Sequence, residues 1–169
     1  MRAFGLIEFA RTQPELQFLL HCLLFDELDQ MDNVDARKRH QIMSAVKSKN
    51  TGPELCLRRE LHRRGFRYRL HVKDLAGSPD IVWRSRKKVI FVHGCFWHGH
   101  VRCRHARLPR SNTQFWKKKL VQNQARDQRI LDNLGEQGWR VLIVWQCELR
   151  DMGACMRNVV KFLGPRRAP

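Results

Sequence analysis

No apolar run in this chain of 169 residues approaches the roughly 18 residues needed to cross a bilayer, which argues against a membrane-spanning segment. Internal repeats and low-complexity stretches are missing as well. So is the basic n-region that opens a secretory signal: segment 15–28, ELQFLLHCLLFDEL, has an acidic flank instead. Without such a signal, Cys22, Cys56, Cys95, Cys103, Cys147 and Cys155 do not read as the disulfide framework of a small secreted domain. They suit a reducing, cytoplasmic setting, with clustered cysteines serving a metal. Acidic residues are scarce too, 16 against 33 Lys plus Arg, leaving +17. That excess makes a polyanion the first partner class, because each neutralised phosphate releases condensed counterions. Nucleic acid leads, and no basic amphipathic membrane anchor stands out.

The length suits one domain, but the charge is uneven. Residues 1–30 hold two basic and five acidic residues, or −3, whereas the remaining 139 hold 31 basic and 11 acidic, or +20. The expected organisation is therefore an N-terminal extension over 1–30, with Met31 as the preferred start, and a functional domain over 31–169. A small partner-binding helix is the alternative reading of the extension. Residues 34–49 form a basic, helix-prone run with a sparse Ile42, Met43, Val46 stripe, either a solvated face or a DNA contact. Thr51, Pro53 and Gly65 mark the cap, first turn and end of a helix over 52–64. FRYRLHV at 66–72 alternates like a half-buried strand, and DIVW and KVIFVH, linked by RSRKK, read as a hairpin with a buried second strand. A long helical stretch from Thr113 to Gly138, a buried strand at 139–145 and a helix near 152–163 follow. The order predicts an α/β protein, an α/β/α arrangement around a mixed central sheet.

Chemistry concentrates in HGCFWHGHVRC at 93–103. Cys95, His100 and Cys103, with Cys147 at the end of the last strand, offer three thiolates and an imidazole. That set suits a closed tetrahedral structural zinc, in a loop with little apolar content to order it otherwise. The competing reading is buried free cysteines among surface histidines, and His98 and His105 are substitute ligands. Cys56, on the first helix, reads as core. Asp80 in GSPDIVW stands at the mouth of a strand, where a rigid carboxylate would hold a hard cation such as Mg2+ against a phosphate; a turn or capping aspartate is the plainer alternative. Hairpin pairing would bring His93 to the same sheet edge. Lys117, Lys118 and Lys119 would either meet phosphates or form a solvated helix face.

GSPDIVW, FVHGCFWHGH, Cys103, FWKKK and WRVLIVWQCELR, in this order over roughly 34–150, resemble the very short patch repair (Vsr) DNA mismatch endonucleases. The resemblance implies a restriction-endonuclease-like fold and a monomeric, Mg2+-dependent enzyme. Such an enzyme nicks one strand 5' of the thymine in T:G mismatches left when 5-methylcytosine deaminates. It also implies double-stranded DNA as substrate, a functional link to a DNA cytosine methyltransferase, and contacts with MutS and MutL by analogy. Site roles carried over are Asp80 and the carbonyl of Val92 on Mg2+, His93 on the scissile phosphate or leaving oxygen, His98 as general base and Glu54 orienting it. Phe96, Trp97 and Trp116 would intercalate beside the mismatch, and Met43 would probe the other groove. Three departures stand out: Val92 replaces a threonine, VIFVH lacks the acid and lysine of restriction-type strands, and His100 and Cys103 have one residue more between them than is usual in the family. A restriction or mobile-element nuclease of the same fold, or a zinc-stabilised DNA-binding module without catalysis, are the competing functions.

Overall fold

Thr51 opens the first complete helix, α1 (Gly52–Arg63), by accepting from the Glu54 N–H while Pro53 occupies the first turn, where a missing amide hydrogen costs nothing. The computed structural model describes residues 49–165, together with residues 37, 41, 43, 44 and 46. The expected extension over 1–30 and most of the basic run at 34–49 lie outside the described residues.

After α1 come β1 (Arg69–Leu70), β2 (Ile81–Trp83), β3 (Lys88–His93), the short helix α2 (Cys95–His98), the long helix α3 (Thr113–Glu136), β4 (Arg140–Trp145) and α4 (Met152–Leu163). The sheet runs β1-β2-β3-β4. β1 with β2 and β2 with β3 are antiparallel, while β3 and β4 are parallel in the register Val92 to Val144 and His93 to Trp145. The expected mixed sheet is therefore present.

Side-chain alternation splits the core into two layers. Ile81, Trp83, Ile90, Val92 and Val144 face one side with Leu57 and Leu61 of α1 and Met156 and Val159 of α4. Val82, Val89 and Phe91 face the other, against Leu134 and Ile130 of α3. This is the helix–sheet–helix sandwich read from the sequence, and Cys56 is buried in the first layer as expected.

Two strands differ from expectation. The run 66–72 yields only Arg69 and Leu70 as strand, both exposed, because His71 turns the backbone to φ 45, outside the β region. Phe66 and Val72 are still buried, one in each layer. β4 is an end strand of this sheet, and only Val144 is buried in it; Leu142 packs beside it on the first layer and Val141 on the second, both partly exposed because no further strand covers the edge.

Candidate active site and metal centre

β3 ends where the chemistry begins. The N–H of Val92 donates to Asp80 Oδ2 at 2.8 Å, so the carboxylate at the mouth of β2 is fastened to β3 one residue before His93. Burial lifts the Asp80 pKa to about 6; the Val92 hydrogen bond opposes this, Glu54 adds to it and Arg58 opposes it. A buried acid in this state gains most from a nearby cation, since a positive charge favours the carboxylate form.

His93 is 8% exposed and its ring stacks on that of His98, with centroids 3.7 Å apart and 13° between planes. Burial, and then the proximity of His98, push the His93 pKa down to about 4 against the pull of Asp127. His93 is thus neutral near physiological pH, able to donate a hydrogen bond without carrying charge. His98 Nδ1 meets Asp127 Oδ2 at 2.5 Å. Burial raises the Asp127 pKa, but the hydrogen bond and charge of His98 outweigh it and hold the group below its usual value. Because a carboxylate accepts, the ring proton sits on Nδ1 and Nε2 keeps its lone pair, the arrangement of a general base.

The expectation that Glu54 orients His98 is not met; Asp127 occupies that place. Glu54 is 3% exposed and already accepts from the Asn50 N–H at 3.1 Å, the Thr51 hydroxyl at 2.9 Å and Arg58 Nη2 at 2.5 Å. Its neighbours among titratable groups are His71 and Asp80. Asp127 was missed because α3 reads as only partly periodic. Trp116, Leu120, Asn123, Asp127, Ile130 and Leu134 follow a 4-3-4-3-4 spacing along one helix face, and the two polar residues inside that stripe are the ones serving the site. Asn123 Nδ2 donates to the Trp97 carbonyl at 2.8 Å, which ties α2 to α3.

Cys95, His100, Cys103 and Cys147 come together with all donor atoms within 4.8 Å of one another. His100 Nδ1 lies 3.6 Å from Cys95 Sγ and 3.3 Å from Cys147 Sγ. A tetrahedron with Zn–S near 2.3 Å and Zn–N near 2.0–2.1 Å has an S···N edge of about 3.6 Å, so this donor set fits zinc. Burial raises the Cys95 and Cys147 thiols above their usual range, the environment a cation would relieve. The substitutes, His98 and His105, stand elsewhere: His98 on Asp127, and His105 accepting from Arg104 at 3.2 Å. Between His100 and Cys103 the backbone turns through Arg102 at φ 58.

Cys95 and His100 bracket the aromatic pair. Phe96 and Trp116 are buried, with Trp97, Met43 and Leu108 packed against them, and the rings of Phe96, Trp97 and Trp116 meet edge to face at 5.1–6.1 Å. Gly99 ends α2 at φ 64, where a Cβ would lie 2.6 Å from Gln124 Nε2. Lys117, Lys118 and Lys119 are exposed on α3.

A flanked mixed sheet whose edge gathers a buried acid, a stacked histidine pair backed by an aspartate and a thiol–imidazole cluster carries the groups a hydrolytic nuclease needs. The profile described as DNA mismatch endonuclease Vsr matches residues 31–104. The chain is 51% identical over 134 residues to the type II nicking enzyme V.XorIIP of Xanthomonas oryzae pv. oryzae, covering 79% of this chain and 98% of that protein. It is 43% identical over 126 residues to the type II nicking enzyme V.NmeAIP of Neisseria meningitidis, covering 75% and 89%. Against the DNA mismatch endonuclease Vsr of Escherichia coli it is 41% identical over 116 residues, covering 69% and 74%. The chain belongs to the Vsr family of DNA endonucleases.

Proposed function

We propose that this protein nicks one strand of double-stranded DNA 5' of the thymine in a T:G mismatch, beginning the short-patch repair of deaminated 5-methylcytosine. The observation that carries the reading is α2: four consecutive residues supply a zinc ligand, two aromatic rings and the histidine held by Asp127. A base-stack probe and a base for water thus share one rigid turn.

His98 Nε2 takes a proton from water, whose oxygen bonds to phosphorus as the bond to the leaving sugar oxygen breaks. Neutral His93, stacked on it, donates a hydrogen bond to the scissile phosphate or the departing oxygen. Asp80 and the Val92 carbonyl are the groups that would hold Mg2+, which supplies Lewis-acid stabilisation of phosphate charge. One free carboxylate suits an ion that keeps most of its waters; Glu54, already engaged by three donors including the Arg58 guanidinium, is not a second one. Zinc on Cys95, His100, Cys103 and Cys147 is structural, since four protein ligands leave no open position. Phe96, Trp97 and Trp116, with Met43 on the other groove, read the mismatch by unstacking, which costs least where pairing is poor. Lys117 and Lys118 meet phosphates. The enzyme acts as a monomer, tied functionally to a cytosine methyltransferase and, by analogy, to MutS and MutL.

Labelled duplexes with Mg2+ test this: T:G in several methyltransferase contexts against matched T:A and C:G, beside Asp80→Ala. Cutting of the T strand at T:G alone, lost in the variant, is expected. Equal cutting of matched duplexes would replace mismatch repair with a restriction-like role.

A further inference from the structure

Asp80 faces a side chain that the reaction above does not use. His71 Nδ1 lies 3.9 Å from Asp80 Oδ1, and Nε2 lies 3.8 Å from Glu54 Oε2. The three side chains are close enough to suggest an ion, but the hydrogen bonds assign them another use. Arg58 Nη2 is 2.5 Å from Glu54 Oε2 and 2.9 Å from His71 Nε2, and Nη1 donates to Asn50 Oδ1 at 2.7 Å. A guanidinium only donates, so Nε2 accepts and the ring proton is fixed on Nδ1, the nitrogen nearer Asp80. His71 then has no lone pair free for a cation.

We propose that His71 is a positioning residue: Arg58, itself locked by Glu54 and Asn50, sets its tautomer, and the resulting Nδ1–H holds the Oδ1 side of Asp80. The opposite oxygen, Oδ2, is held by the Val92 N–H at 2.8 Å, so the carboxylate is restrained from both sides. At 3.9 Å the contact is longer than a direct hydrogen bond and acts through charge–dipole attraction or a bridging water. The inference rests on the reading of Asp80 as the cation-holding carboxylate.

Mn2+ titration followed by electron paramagnetic resonance, on zinc-loaded protein without DNA, reads cation binding apart from catalysis. His71→Asn and His71→Gly both tolerate the left-handed backbone at φ 45, but only the asparagine amide reproduces the Nδ1–H. Melting temperatures are measured alongside. Asparagine is expected to keep wild-type Mn2+ affinity within about threefold, and glycine to weaken it about tenfold. Wild-type affinity in the glycine variant, or equal loss in both, would overturn the role of His71. Undiminished Mn2+ binding in Asp80→Ala would instead remove the reading of Asp80, and this proposal with it.

Discussion

Replacing Asp127 by asparagine changes one atom's charge and, with it, where a proton sits. The contact is 2.5 Å between Asp127 Oδ2 and His98 Nδ1, with side chains 15% and 20% exposed. An amide nitrogen in that position donates to Nδ1 and drives the ring proton to Nε2, so the base loses the lone pair that faces water. General-base catalysis is worth about 10²–10⁴-fold, and a wrong-tautomer variant of a serine-protease triad reaches the upper end. Asp127→Asn should therefore slow single-turnover nicking by about 10²–10⁴-fold, or about 3–5 kcal/mol of barrier. Exchanging a charge-assisted hydrogen bond for a neutral one at this partly buried position should cost only about 1 kcal/mol of stability. Asp127→Ala, which leaves the ring free to choose its tautomer, should lose less activity than asparagine. The assay is nicking of a labelled T:G duplex at saturating protein, with melting temperature and zinc content checked. Asparagine within threefold of wild type, or alanine worse than asparagine, would refute the tautomer argument.

His93 gives a pH test. Its folded pKa of about 4 lies below the ordinary imidazole value of 6.5, so between these values the unfolded chain binds a proton that the folded one resists. Stability is full above about 6.5 and is lost as pH falls towards 4, by about 3 kcal/mol. Wild type should thus lose melting temperature in acid more steeply than His93→Asn, and parallel curves would count against it. Metal analysis should find one zinc per chain, and Cys147→Ala should release it and lower stability by on the order of several kcal/mol; full stability without zinc would rule out the structural role. Phe96→Ala, at a position 4% exposed, should cost about 3–5 kcal/mol of folding. Half-buried Trp97→Ala should chiefly weaken T:G duplex binding, by about 1–3 kcal/mol, and equal weakening on matched DNA would deny it a mismatch role.

What could be read from the sequence depended on whether a residue's surroundings were local. The 52–64 helix carried its own cap and its proline, and KVIFVH its own burial, so both stand close to where the pattern put them. Cys147 was reachable because three ligands demand a fourth, whatever the separation along the chain. His71 was not, since alternation in FRYRLHV made it one more polar strand residue, and only the positive φ takes it out of the strand towards Asp80. Asp127 and Asn123 were hidden differently. A polar residue on an apolar stripe looks like a flaw in the helix until the element packed against it is known, and that element is α2, 26 to 29 residues away.

The placement of the Cys95, His100, Cys103 and Cys147 donor set shows how such a small turn could be made exact enough for chemistry. Cys95 follows β3 by two residues and Cys147 follows β4 by two, so a zinc on these thiolates would staple the ends of the two parallel strands. His100 stacks on Trp145 at 4.2 Å and 4°, and the same indole meets His93 edge-on at 5.4 Å. The four residues between Cys95 and His100 would thus be fixed at both ends, and α3 holds the middle through Asn123 and Asp127. With zinc bound, Phe96, Trp97 and His98 would have little freedom of their own to give up when DNA arrives, which matters because ordering a loop on binding would subtract from affinity. A probe that must spend energy unstacking bases works best when its own conformation is already fixed. On that argument a zinc held there would serve the reaction without touching it, and its loss should damage mismatch discrimination before it abolishes DNA binding, which the exposed lysines of α3 would sustain through charge alone.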